Sequence, residues 1–255
     1  MTGSVLIAQV SDCHLPADPQ QPYRGINPYQ NLEALLKKAH RLNPDLLLAS
    51  GDLSEDGSRA SYERLRRYFK SLEIPVLALP GNHDDAGLLA KTFPGCPVDK
   101  ISVSNHGAWQ IIRLNSCLEG RPEGRLSEAT IAELEKTLQD STQRPRLIAV
   151  HHQPVAVGSP WIDKYRLFDP EDFLKVLDEY EDVKAVVWGH VHQLFETDRN
   201  GTAMLGSPSS AINSLRGSKT FTEDPTGPAF RWLELKEDGT VLSEIIRTRA
   251  VTTTR

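Results

Sequence analysis

Asp45-Leu46-Leu47-Leu48-Ala49-Ser50-Gly51-Asp52 decides the fold: a short apolar run stops abruptly at a glycine and a carboxylate. A run of this length and polarity fits a strand buried on both faces, as in a sheet covered by helices. Gly51 lets the chain turn where the strand stops, which delivers Asp52 to the carboxyl edge of the sheet. Open α/β sheets place their chemistry at that edge. Gly-Asp is also an ordinary turn dipeptide, so its meaning depends on whether other strands end in partners for Asp52.

Four others do. Val5–Val10 stops at Ser11-Asp12-Cys13-His14, and Val76–Leu79 runs into Pro80-Gly81-Asn82-His83-Asp84. Arg146–Val150 ends in His151-His152-Gln153-Pro154, and Ala185–Trp188 in Gly189-His190-Val191-His192. Helical patterns lie between these strands. Asn27 caps one, with Pro28 at its first position and Leu32, Leu35, Leu36, Ala39 and Leu42 at helical spacing. Ser58 opens a second around Tyr62, Leu65, Phe69 and Leu72; Asp85–Phe93 is a short third. Ser127 caps a fourth carrying Ile131, Leu134 and Leu138, and Asp169-Pro170 opens a fifth around Phe173, Leu174 and Leu177.

Antiparallel signals complete the pattern. Ile101–Val103 pairs with Trp109–Leu114 across Asn105-His106-Gly107. Leu194–Arg199 and Thr202–Leu205 flank Asn200-Gly201, and Arg231–Leu235 and Val241–Arg247 flank Glu237-Asp238-Gly239. Pro208–Gly227, rich in Ser, Thr, Gly and Pro, is expected to be a long loop. The whole implies one α/β domain over residues 1–255: two packed β-sheets flanked by helices, with the antiparallel strands from about residue 194 completing the second sheet.

The chain has 255 residues and a formal net charge of −5, which argues against a dedicated nucleic-acid binder. Arg64, Arg66, Arg67 and Lys70 fit a solvated helix face, because no aromatics interleave with them for base stacking. No apolar run approaches the roughly 18 residues of a membrane span. Met1-Thr2-Gly3-Ser4 leads into a strand without a basic flank or apolar signal core, so a cytoplasmic location is expected. Cys13, Cys96 and Cys117 are odd in number and form no Cys-x-x-Cys pair, which fits three reduced thiols better than a disulfide or thiolate site.

Of the eight histidines, only His40 and His106 lie away from the five strand ends. Asp and Asn favour turns, and a lone His is usually structural. Their repetition at one edge is what the ordinary explanation leaves out. Imidazoles, carboxylates and an amide oxygen, without thiolates, suit Zn, Mn, Fe or Co. Seven candidate ligands exceed one ordinary site and match two ions sharing a carboxylate. Paired ions about 3.5–4 Å apart can clamp a phosphoryl group and generate a bridging hydroxide at neutral pH. Gly81 and Gly189 fit such a centre, where backbone must turn tightly with no side chain in the way.

Asp-x-His, Gly-Asp, Gly-Asn-His-Asp, a strand-end His and Gly-His-x-His, in that order from Asp12 to His192, resemble the calcineurin-like metallophosphoesterases. Within them the chain is most similar to the bacterial class III 3′,5′-cyclic AMP phosphodiesterases. Gly25-Ile26-Asn27, Trp161-Ile162-Asp163 and Pro208-Ser209 carry that closer likeness, as do Trp232-Leu233-Glu234-Leu235 and Asp238-Gly239-Thr240. The resemblance implies a four-layer α-β-β-α sandwich holding two divalent ions, iron or manganese first, with zinc or cobalt as alternatives. It assigns Asp12, His14 and His192 to one ion, Asp52 as the bridge, and Asn82, His151 and His190 to the other. His83 would contact the phosphate and protonate the leaving oxygen, with Asp84 orienting it. His14, Asp52, Asn82, His83 and His192 would meet the substrate, while His152 would pack behind the ligands.

The activity so implied is hydrolysis of a small phosphodiester, 3′,5′-cyclic AMP to 5′-AMP, by in-line attack of the bridging hydroxide. A broader phosphodiesterase acting on glycerophosphodiesters or 2′,3′-cyclic nucleotides is the alternative. A nuclease or a protein phosphatase fits less well. A scaffold without catalysis should have broken ligand positions, and none is broken here.

Overall fold

The computed structural model describes residues 3–99, 101–140 and 144–251; Met1 and Thr2, expected to lead into the first strand, lie outside them. The first half alternates strand and helix: β1 (Val5–Val10), α1 (Pro28–Leu42), β2 (Leu46–Ser50), α2 (Arg59–Lys70), β3 (Val76–Leu79) and α3 (Ala86–Thr92). A hairpin of β4 (Ser102–His106) and β5 (Trp109–Arg113) follows, then β6 (Gly124–Arg125), α4 (Glu128–Gln139) and β7 (Arg146–Ala149). Next come α5 (Pro160–Asp163), β8 (Leu167–Phe168), α6 (Glu171–Glu179) and β9 (Val183–Trp188). The chain closes with β10 (Phe195–Arg199), β11 (Thr202–Gly206), β12 (Ala229–Leu235) and β13 (Val241–Arg247).

Local sequence accounts for the helix starts. Asn27, Ser58, Asp85 and Ser127 each accept a hydrogen bond from the backbone N–H three residues on, which satisfies a donor the helix itself leaves free. On α1 the expected apolar face is buried except for Leu42, which is exposed in the last turn.

Side-chain alternation along β2 separates two cores. Leu47 and Ala49 pack with Leu32, Leu35, Tyr62, Leu65 and Leu89, so α1, α2 and α3 cover that face. Leu46 and Leu48 face the other way, onto Trp109, Ile111, Leu147 and Val187 of a second sheet. The far face of that sheet carries Ile112, Ile148, Val186 and Trp188 against Leu134 of α4 and Phe173 and Leu177 of α6. Four layers result, helices–sheet–sheet–helices.

Strand order is β13-β12-β1-β2-β3 in one sheet and β10-β11-β9-β7-β5-β4 in the other. This corrects the expectation for the C-terminal strands. Only the β10–β11 hairpin joins the second sheet, through a parallel pairing of β11 with β9. The β12–β13 hairpin instead covers the open edge of β1, with Ile7 opposite Leu233. Burial favours this placement: Phe230 reaches the core under α1, α2 and α3, and Leu233 and Leu235 reach the inter-sheet core. Buried Arg231 ties the two hairpins together, donating to the Gly206 carbonyl of β11 at 2.7 Å and pairing with Glu196 of β10 at 2.5 Å. The short α5 and the two-stranded β6–β8 pair were not anticipated; both lie in loops beside the site.

Candidate metal centre

All five strand ends meet. Loops after β1 and β2 are laced together by Asp12 N–H to the Gly51 carbonyl (2.9 Å) and His14 N–H to the Asp52 carbonyl (3.0 Å). In the second sheet, Gly189 N–H donates to the His151 carbonyl at 3.2 Å. The backbone is strained here. Asp12, His14, Asp52, His190 and His192 all have φ between 45° and 64°, a left-handed region costly for residues with a Cβ and concentrated at functional sites. Two glycines let the loops come this close. A Cβ on Gly81 would sit 2.2 Å from the Asp52 amide nitrogen, and one on Gly189 would sit 1.9 Å from Ser11 Oγ.

Each imidazole is held by one nitrogen, leaving the other for the centre. Nδ1 of His151 donates to the Ser50 carbonyl (2.9 Å), and Nδ1 of His192 to the Ile212 carbonyl (2.8 Å). His14 Nδ1 meets Glu55 Oε2 at 2.7 Å, while His190 Nε2 faces the Tyr165 carbonyl at 3.1 Å. This is how metal-binding histidines are oriented. The inward atoms converge: His192 Nε2 lies 3.4 Å from Asp12 Oδ1 and 3.1 Å from His14 Nε2. Asp52 Oδ2 lies 3.3 Å from His151 Nε2 and 3.9 Å from His14 Nε2. Asp52 therefore stands between two donor groups, one of Asp12, His14 and His192, the other including His151.

Two inward atoms are under-satisfied: Asn82 Oδ1 is buried with no hydrogen-bond partner, and His151 Nε2 has only the Asp52 carboxylate at 3.3 Å. Buried polar atoms are normally satisfied, so such a pair within a nitrogen–oxygen donor set fits metal coordination. Charge agrees. Burial works to raise the carboxyls of Asp12 and Asp52, yet the surrounding histidines hold both below the ordinary carboxylate range. Burial opposes protonation of His151 too, but Asp52 and Asp12 outweigh it and lift the ring to about 9. His190 is driven well down by burial and by the neighbouring His152 and His151.

His83 is the exception among the strand-end histidines, with a side chain 38% exposed. Its backbone N–H donates to Asp52 Oδ1 at 2.8 Å, so the ring stands over the cluster. Asp84 does not orient that ring, contrary to the expectation. Its carboxylate accepts from the backbone N–H groups of Leu53 (3.1 Å), Ser54 (2.9 Å) and Gly81 (2.9 Å) and from the Tyr62 hydroxyl (3.0 Å). A carboxylate with four donors is a clasp joining the β2 and β3 loops. The partner of His83 is Glu55, whose carbonyl and Oε2 each lie 3.3 Å from His83 Nδ1. Sequence reasoning passed over Glu55, although it stands three residues after Asp52 on the same loop.

His152 is buried beside His190, its Nδ1 2.8 Å from Ser116 Oγ and its ring centroid 4.6 Å from that of His190. Burial and the charge of His151 push it down to about 3. Its free Nε2 is within reach of the same group as His151 and His190.

Above the cluster opens a cavity of about 140 Å³. His14, Asp52, Asn82, His83, His190 and His192 line its floor, so all five residues expected to meet substrate are there. Tyr23, Arg24, Trp161 and Phe221 wall its mouth, and none was singled out for that role from the sequence.

A family model described as calcineurin-like phosphoesterase matches residues 5–194. The chain belongs to that family. Among curated relatives, a 3′,5′-cyclic-nucleotide phosphodiesterase of Nostoc sp. is 39% identical over 95% of this chain and 92% of its own length. The 3′,5′-cyclic adenosine monophosphate phosphodiesterase CpdA of Pseudomonas aeruginosa is 34% identical over 96% of this chain and 90% of its own. A dimetal phosphatase from Danio rerio superposes with a TM-score of 0.73 over 98% of this chain and 99% of its own, at 16% identity, a likeness of fold. Family membership and these donor clusters make the protein a metal-dependent phosphoric ester hydrolase. Among the described residues, no helix is long and apolar enough to cross a membrane.

Proposed function

We propose that the protein hydrolyses the 3′,5′-cyclic phosphodiester of a mononucleotide, cyclic AMP foremost, to the 5′-nucleotide. The observation that carries this reading is Asp52 standing between two donor groups, on the floor of a cavity that His83 overlooks. Relatives named for this activity across nine-tenths of their length support it.

Asp12, His14 and His192 would hold one ion, Asn82, His151 and His190 the other, with Asp52 between. When bound, the ions supply neutralisation of the phosphate's charge and activation of the attacking water. The chain's own residues do the rest. Burial of the donors excludes bulk water from the floor, and the carbonyls of Ser50 and Ile212 fix His151 and His192 in the tautomer that presents Nε2. Glu55 holds Nδ1 of His83, which leaves Nε2 to give a proton to the ribose 3′ oxygen as its bond to phosphorus breaks.

The test is apo protein reconstituted with Mn and assayed on cyclic AMP, where absence of turnover overturns the assignment. His83→Ala should impair turnover and spare metal content, whereas Asp52→Ala should deplete metal at both positions. Equal metal loss in the two variants contradicts the division of roles. Relative kcat/KM on cyclic AMP, 2′,3′-cyclic AMP and a glycerophosphodiester separates this reading from a broader diesterase.

A further inference from the structure

The mouth of the cavity has a small core of its own. Ile26, Ala211 and Ile212 are buried together, and Tyr23 and Phe221 pack against them, apart from the three cores of the sandwich. Tyr23-Arg24-Gly25-Ile26 forms a tight turn in which Tyr23 and Ile26 exchange both backbone hydrogen bonds at 3.0 Å. Arg24 and Gly25 both adopt positive φ, 48° and 84°. That turn stacks the Tyr23 ring flat on His14, centroids 4.3 Å apart and planes 7° from parallel. On the opposite side, Trp161 and Phe221 meet edge to face at 5.3 Å, each about one ring's reach from His192, at 6.4 and 6.3 Å. The Phe221 loop is tied to α5, since Gly217 N–H donates to Ser159 Oγ at 2.8 Å.

Two features of this wall await a ligand. The guanidinium of exposed Arg24 lies over the Phe221 ring face at 4.2 Å and has no carboxylate within ion-pair distance among the described residues. A planar group already rests where a planar aromatic would stack. The indole Nε1–H of Trp161 is buried without an acceptor. An unpaired buried donor beside a cavity marks the place of an acceptor from outside the chain.

We propose that Phe221, with Trp161 at its edge, seats the nucleobase of the substrate while His83, Asn82 and the metal ligands hold its phosphate. The proposal rests on the cyclic-nucleotide reading in that the ligand carries a base. On binding, the base takes the Phe221 face from Arg24, and the Trp161 N–H donates to a nitrogen or oxygen of the nucleoside. Stacking tolerates any base, so this wall distinguishes nucleotides from base-free diesters more strongly than it distinguishes adenine from guanine.

Calorimetry on the Mn-loaded protein tests it with two ligands that share a phosphate and differ in the base, 5′-AMP and ribose 5-phosphate. Wild type should bind 5′-AMP at least about tenfold more tightly, the order expected for one aromatic stack. Phe221→Ala should bring that ratio close to one and leave the affinity for ribose 5-phosphate unchanged. Phe221→Leu keeps the apolar contact with Ile26 and Ile212 and should lose most of the ratio as well, which separates stacking from folding. A ratio near one in wild type, or one unchanged in both variants, overturns the proposal. Loss of ribose 5-phosphate binding in step with 5′-AMP also overturns it. Because no turnover is read, a base-dependent ratio stands even if cyclic AMP is not hydrolysed, and the hydrolysis assay fails or succeeds separately.

Discussion

Gly81→Ala is the sharpest probe of how the strand-end loops create the centre. The substitution adds one methyl group, and at this position it lands 2.2 Å from both the amide nitrogen and Oδ1 of Asp52. The penalty is steric, because Gly81 is not among the positive-φ residues. A side chain can rotate away, but the Asp52 amide belongs to the backbone, so the β2 and β3 loops must part. Overpacking of this kind costs about 1–3 kcal/mol. For a chain of this size that corresponds to a fall in Tm of about 2–12 °C. The effect on chemistry should be larger than on stability, since a shift near 1 Å in a catalytic group can cost about a hundredfold in rate. Gly87→Ala is the control: in α3 its Cβ would meet only Asp85 Oδ1 at 3.4 Å, and alanine in place of glycine favours a helix by about 0.5–1 kcal/mol. Thermal melts, metal content and diester hydrolysis of the two variants give the answer. If Gly81→Ala keeps Tm, metal and activity level with Gly87→Ala, the close approach of these loops does not build the site.

Two further substitutions separate the carboxylates around His83. Glu55→Gln removes the charge that faces His14 and His83 and should lower kcat/KM about 10- to 100-fold, the usual effect of losing a ligand's supporting partner; activity at the wild-type level would remove Glu55 from the machinery. Asp84→Asn leaves three backbone N–H groups facing an amide in place of a carboxylate and should cost about 1.5–3 kcal/mol in denaturant titration, where an unchanged midpoint would contradict the clasp.

The divide between strand-end residues and the rest of the site has a physical origin. Asp12, Asp52, Asn82, His151 and His190 stand directly after apolar runs or at their glycine turns, so the period of the strands places them at one edge without any knowledge of packing. Glu55, Tyr23, Trp161 and Phe221 sit in loops whose paths depend on what they pack against. Asp84 shows the same limit from the other side. The family resemblance implied His83 as its partner, but three backbone donors from two different loops reach it first.

Sequence alone determined the strand–helix alternation, the helix caps and the meeting of Asp, Asn and His residues after the parallel strands, because hydrophobic periodicity and turn chemistry are local properties; the four layers followed from the family resemblance. Tertiary structure alone decided three things. It sent the last hairpin to the open edge of β1, where Leu233 and Leu235 find the inter-sheet core. It brought the 208–227 loop over the centre, so that the Ile212 carbonyl fixes His192. It set Phe221 beside Trp161 at the mouth. Each is a contact between segments distant in the chain, and no local pattern encodes which distant surface a segment will meet.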